Sequence, residues 1–209
     1  MYSFRRTWGV FFKTQPWIAG AALLVLLSYF SWNVNKKEAY IIFVFLAEMF
    51  AFLLALLAGF KTKKKSIIPT DRGANMLSIE GFFKSLLFTI PIIGFWTISM
   101  SQLPRGDDTI HILSAFVLGM LMINGVFAFA SLVFPSYIVS FYLANVYDKK
   151  QTITSEGFRY LALYFYALNG EVQIILSRFP FLIQRIMGVL FLLVIIACYS
   201  FLLLLVGNG

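Results

Sequence analysis

AYIIFVFLAEMFAFLLALLAGF, residues 39–60, is an apolar run interrupted by a single acid, Glu48. A helix rises about 1.5 Å per residue and a bilayer's hydrocarbon core is about 30 Å thick, so a run of this length reads as a membrane span. Within it Ala47, Ala51, Ala55 and Gly59 recur at every fourth position. Such a ridge of small side chains lets helix backbones approach closely in lipid, where packing rather than water exclusion drives association. Glu48 borders the ridge. An ionisable group at that depth costs roughly 2.5–3.5 kcal/mol on insertion scales, so it is expected against a neighbouring helix rather than against lipid. Two roles follow for it: a hydrogen-bonded acid that ties helices together, or a carrier of protons or cations.

The rest of the chain is read outward from this span. Of 209 residues 60% are hydrophobic and 12% charged, with a mean hydropathy of +0.85, the composition of a polytopic membrane protein rather than a soluble domain. Further apolar runs occupy 18–34, 79–101, 111–134 and 181–206. The expected fold is therefore all-α, an integral membrane protein of five transmembrane helices in one domain. Segments 2–15 and 154–179 are too polar or too short to count as spans, and are expected as amphipathic helices in the cytoplasmic interface. A sixth span through 158–179 is the alternative; it would bury Asn169, Gly170 and Glu171. In the interfacial reading Asn169-Gly170 ends the helix. Pro135 should kink or end the fourth span, leaving Ser136–Tyr147 as a cytoplasmic extension.

Charge sets the expected orientation. The net charge of +8 does not point to nucleic acid here, because basic residues gather on one side of the membrane. With the N-terminus inside, fourteen Lys and Arg face the cytoplasm against Lys36, Lys37 and Arg105 outside. Arg5, Arg6 and Lys13 precede the first span without a small-residue cleavage site after it, the pattern of an uncleaved signal anchor. No Asn-x-Ser/Thr acceptor occurs, and the expected location is the bacterial cytoplasmic (inner) membrane. Lys61, Lys63, Lys64 and Lys65 follow the second span directly and are candidate contacts for anionic lipid headgroups. Ser78–Phe82 and Thr154–Phe158 also share a short Ser-x-Glu-Gly-Phe-like pattern. Three entrance helices in a cytoplasmic collar would explain it, and so would coincidence in a Phe-rich chain.

Candidate polar partners for Glu48 lie in other spans. Asn124 falls in the middle of the fourth, on one helical face with Ala128 and Ser131. Thr89 offers a hydroxyl in the third, near Pro91 and Gly94. Catalytic patterns are missing: the sequence has one His and one Cys, with no Gly-rich phosphate loop and no Gly-x-Ser-x-Gly elbow. The stretch Arg105–His111 supplies too few ligands for a metal and reads as a helix N-cap. No cofactor is expected. The reading is a non-enzymatic subunit or scaffold of a larger membrane assembly for transport or secretion, with other membrane subunits as partners. The alternative is a small proton- or cation-coupled transporter built on Glu48.

Overall fold

The computed structural model describes residues 2–27, 37–60, 112–147 and 153–207, together with helical positions between 87 and 99. Among them the chain is helical and without strands. In order come α1 (Phe4–Leu27), α2 (Lys37–Gly59), α3 (Ile112–Val133), α4 (Pro135–Tyr147), α5 (Ile153–Leu161), a π-helical turn (Ala162–Tyr166), α6 (Ala167–Leu176) and α7 (Phe181–Gly207). Four of these, α1, α2, α3 and α7, are long and apolar enough to cross a membrane. The expected spans at 39–60, 111–134 and 181–206 coincide with α2, α3 and α7. Most of the expected span at 79–101 lies outside the described residues, as do Thr89, Lys61, Lys63, Lys64 and Lys65.

The first span is placed differently. One helix begins at Phe4 and runs through Pro16 to Leu27, with no boundary between an interfacial 2–15 and a span starting at 18. Proline removes a backbone donor, and the Thr14 hydroxyl donates to the Phe11 carbonyl (2.7 Å) in the turn that Pro16 disturbs. Pairing with α2 explains why this polar half stays helical. The Ser3 N–H donates to the Gly59 carbonyl (2.9 Å), Gln15 to Glu48, and the Tyr40 hydroxyl to the Ala22 carbonyl (3.3 Å). In each pair the residue numbers total nearly the same value, so the two helices hold one antiparallel register from end to end. At the Ser3–Gly59 end a Cβ on Gly59 would run into the Thr7 hydroxyl and the Tyr2 ring, so the ridge meets α1 there with no room for a side chain.

Core packing joins α3 to α7, α2 to α7 and α1 to α2. Phe50 stacks on Phe191 with ring centroids 5.1 Å apart, and Leu54, Ala128, Val172, Leu176 and Ile195 complete that cluster. A second cluster collects Val25, Phe43, Val117, Leu118, Cys198, Leu202 and Leu205 at the other end of the bundle.

The region after α3 departs furthest from expectation. Pro135 opens α4 as its first residue, a position where the missing N–H costs nothing. The chain does not continue outward from there. Phe127 of α3 stacks with Phe141 of α4 at 6.4 Å between centroids, whereas residues so numbered in a straight helix would stand about 21 Å apart along the axis. The helix axis therefore bends sharply at Phe134–Pro135, where the Phe134 N–H still bonds to the Ala130 carbonyl (2.9 Å) and the Ile138 N–H to the Phe134 carbonyl (3.2 Å), and α4 leans off the line of α3 to form the second arm of a wedge. The segment expected in the interface fills that wedge: Tyr166 stacks on Phe127 (4.6 Å) and on Phe141 (5.7 Å). Asn169-Gly170 does not end the helix; both residues are buried inside α6, which continues to Leu176. Gly170 is needed for close approach instead, because an ideal Cβ there would lie 2.5 Å from Cγ of the buried Tyr142 ring.

Since that Cγ is anchored close to the backbone, Gly170→Ala should cost about 1–3 kcal/mol by overpacking. Gly9→Ala, where nothing lies within 4 Å, should instead be neutral or gain up to about 1 kcal/mol from helix propensity. Thermal unfolding of both variants in detergent checks the contrast.

Candidate functional site

Polar side chains inside an apolar bundle are the places to look for chemistry, since each must find a partner to justify its burial. Glu48 lies mid-way along α2, half-buried, and its Oε2 accepts a hydrogen bond from Gln15 Nε2 at 2.9 Å. Its partner is thus a neutral amide on α1. The expected partners Asn124 and Ser131 are not brought to it. Of the small ridge, Ala51, Ala55 and Gly59 are buried and Ala47 is half-buried beside Glu48.

Asn124 and Ser131 belong to a separate constellation at the wedge. Phe165 and Asn169 are four apart, the carbonyl and N–H that an uninterrupted α-helix would join directly. The π-helical turn breaks that ladder, and Tyr166 takes φ −134° and ψ 13°, outside helical values. The Asn124 carboxamide, 1% exposed, inserts at the break. Its Oδ1 accepts from the Asn169 N–H (2.9 Å), and its Nδ2 donates to the Phe165 carbonyl (2.7 Å) and to its own Met120 carbonyl (2.8 Å). A side chain has replaced a backbone bond, one of the recognised causes of a helix kink. Two turns along, Gln173 Nε2 donates to Ser131 Oγ (2.7 Å), which donates to the Ala128 carbonyl (2.6 Å).

One group in this seam is left over. Asn169 is fully buried, and neither its Nδ2 nor its Oδ1 has a hydrogen-bond partner among the described residues. Its backbone, not its side chain, is what Asn124 holds.

Toward the ends of α4 and α6 the polar contacts reach the surface. The Tyr142 hydroxyl donates to Glu171 Oε1 (3.0 Å), and Asn145 Nδ2 donates to the Tyr166 oxygen (3.0 Å). Burial pushes the Tyr166 phenol up to about 12, against the opposing effect of the Asn145 bond. Arg178, in the turn between α6 and α7, is held below the usual guanidinium range by burial and then by the like charge of Arg6, with Glu171 opposing.

Amides, hydroxyls and the two acids Glu48 and Glu171 tie helices to one another in these contacts. Among the described residues no group of three or more His, Cys, Asp and Glu could hold a metal ion. Gln15, Gln173 and Tyr142 escaped the sequence reading, and Asn169 entered it only as part of a helix stop or of a sixth span. Asn169 and Gln173 did carry a signal, being one turn apart on one helical face, as Asn124 and Ser131 are two turns apart. No protein-family model matches the chain, and no curated protein or solved structure is similar to it.

Two outcomes follow. Asn124→Leu strips partners from the buried Phe165 carbonyl and Asn169 N–H and should cost about 1–3 kcal/mol. Asn169→Leu, of similar volume, removes only unpaired polar atoms and should leave the unfolding midpoint unchanged or raise it. For Tyr166 the neutral phenol is the form the fold prefers. Its stabilisation is complete below the ordinary tyrosine value and is lost as pH rises from about 10 through about 12. In an alkaline titration followed at 295 nm, Tyr166→Phe should remove a late-ionising tyrosine and flatten the stability loss in that window.

Proposed function

We propose that this protein is a non-enzymatic subunit or scaffold of a larger membrane assembly serving transport or secretion. The observation that supports this reading is the uneven covering of the spans. Only 6% of α1's span window is buried within the chain, against 33–39% for α2, α3 and α7. Phe4, Trp8, Phe12, Trp17 and Leu23 are all exposed on it. A span packed along one side only leaves its other face free for lipid or for a neighbouring subunit. The buried polar side chains described above hold helices to one another, which is what a scaffold requires of them.

In this reading the protein sits in a bacterial inner membrane with its N-terminus in the cytoplasm, as the Lys and Arg distribution favours. Arg5, Arg6 and the run Lys61, Lys63, Lys64 and Lys65 then face anionic headgroups, each cation contributing about 1 kcal/mol near the surface. A second reading, proton- or cation-coupled transport, keeps one observation in its favour: Glu48 has a neutral partner and no cation paired with it among the described residues.

Solubilisation of native membranes in mild detergent, followed by identification of what travels with the full chain, tests the first reading. Stoichiometric membrane-protein companions are expected; a single species free of companions would sink it. The second predicts a pH-driven flux in proteoliposomes that Glu48→Gln abolishes while the unfolding midpoint holds.

A further inference from the structure

Asn124 supplies two bonds that a regular helix makes for itself. It accepts from the Asn169 N–H and donates to the Phe165 carbonyl, the pair that an α-helical ladder would join directly. While it is so engaged, the Asn169 side chain goes without. That carboxamide is fully buried, and neither its Nδ2 nor its Oδ1 has a partner among the described residues. Leaving both atoms unpaired is costly in an apolar bundle. The two carboxamides are nevertheless neighbours. Asn124 Oδ1 lies 2.9 Å from the Asn169 backbone nitrogen, and that nitrogen is joined through Cα to the side chain that carries the unpaired amide.

A second pairing of the same groups leaves nothing over. If Phe165 and Asn169 bond to each other, the Asn124 carboxamide is released and can join that of Asn169, each amide donating to the other's oxygen. The bond from Asn124 Nδ2 to the Met120 carbonyl uses the other hydrogen and survives. The ladder is then regular, and Tyr166 moves from φ −134° to the helical value of about −63°. α6 is held in place by Gln173 on Ser131 and by Glu171 on the Tyr142 hydroxyl. The residues ahead of the turn therefore rotate, by about 100° for one residue taken out of the π-turn.

The wedge opposes this rotation. Tyr166 stacks on Phe127 of α3 and on Phe141 of α4, and its oxygen accepts from Asn145. Those contacts hold only while the ring points between the two arms. Ring stacking and one hydrogen bond are of the same order as the penalty for an unpaired carboxamide, so the two arrangements lie close in free energy. With Tyr166 withdrawn, the ring that braces α4 against α3 is gone and the angle at Pro135 is free to change.

We propose that the π-helical turn is a two-state device in which Asn124 alternates between the Phe165–Asn169 backbone break and the Asn169 side chain, carrying Tyr166 into and out of the wedge. The structure holds the state with Tyr166 seated. In the other state the helix is regular, these polar groups are all paired, and the wedge is unbraced. A one-residue shift of this kind re-aims side chains without unfolding the helix. The device needs no second polypeptide, so it stands apart from the assembly proposed above.

Tyr166–Ala167 is the only Tyr-Ala pair in the sequence, so carbonyl-13C tyrosine combined with 15N alanine gives one NMR signal at the break in the full chain. In lipid nanodiscs, saturation transfer should reveal a second, less populated state whose carbonyl shift is that of a regular helix. Asn169→Leu cannot form the amide pair and should lower that population about tenfold or more. Phe127→Leu weakens the seat of Tyr166 and should raise it about fivefold. A single state in the unsubstituted chain overturns the proposal, and so does a second state that Asn169→Leu leaves equally populated. If Phe127→Leu does not fold, the unsubstituted chain and Asn169→Leu decide the matter between them. Companion subunits that co-purify bear on the assembly alone.

Discussion

Backbone groups buried in an apolar bundle must be paired, and here one of those pairings passes through a side chain. Asn124 joins the Phe165 carbonyl to the Asn169 N–H across a π-helical turn, so α3 and the 153–176 segment become parts of one hydrogen-bonded unit. The rest of the wedge depends on it. The extra turn carries Tyr166 between Phe127 and Phe141 and brings Gly170 under the Tyr142 ring. A regular α-helix over the same residues would turn these side chains through roughly a quarter of a turn, since one inserted residue is worth about 100°. π-Turns of this kind collect at functional sites in proteins generally. In this chain the turn sits beside the one fully buried carboxamide, that of Asn169, whose polar atoms are unpaired among the described residues.

The second organising constraint is the α1–α2 hairpin. Its register is set by backbone pairing at the Ser3–Gly59 end and by Gln15–Glu48 at the middle. Once α2 lies in the hydrocarbon, that register carries the polar half of α1 in beside it. Segment 2–15 is therefore not a separate helix ahead of a span but continuous with the span-length helix that ends at Leu27. The small ridge on α2 is what permits this, since at Gly59 even a methyl group would collide with α1.

Helical class and three of the four span-length helices were legible because hydrophobic run length is a local property: 39–60, 111–134 and 181–206 each declare themselves. Asn124, Ala128 and Ser131 could be put on one face by spacing alone, and Glu48 could be put against a helix by the cost of exposing it to lipid. What was not legible was the partner in each case. Gln15 was read as interfacial because Arg5, Arg6 and Lys13 precede it in sequence, and pairing with α2 outweighed that local polarity. Asn169-Gly170 was read as a stop because the dipeptide favours helix ends, and close packing against Tyr142 used the same glycine to continue the helix.

The sequence by itself determined that this is a helical chain with spans long enough for a bilayer, because apolar length and charge placement act residue by residue. Tertiary structure alone decided which polar group answers which: Glu48 to Gln15, Asn124 to a broken helix, Ser131 to Gln173. It also decided how sharply the chain bends at Pro135. These outcomes depend on the register and angle at which helices meet, and both are set by contacts between residues as far apart in the chain as Ser3 and Gly59 or Phe50 and Phe191. No periodicity along the chain records them.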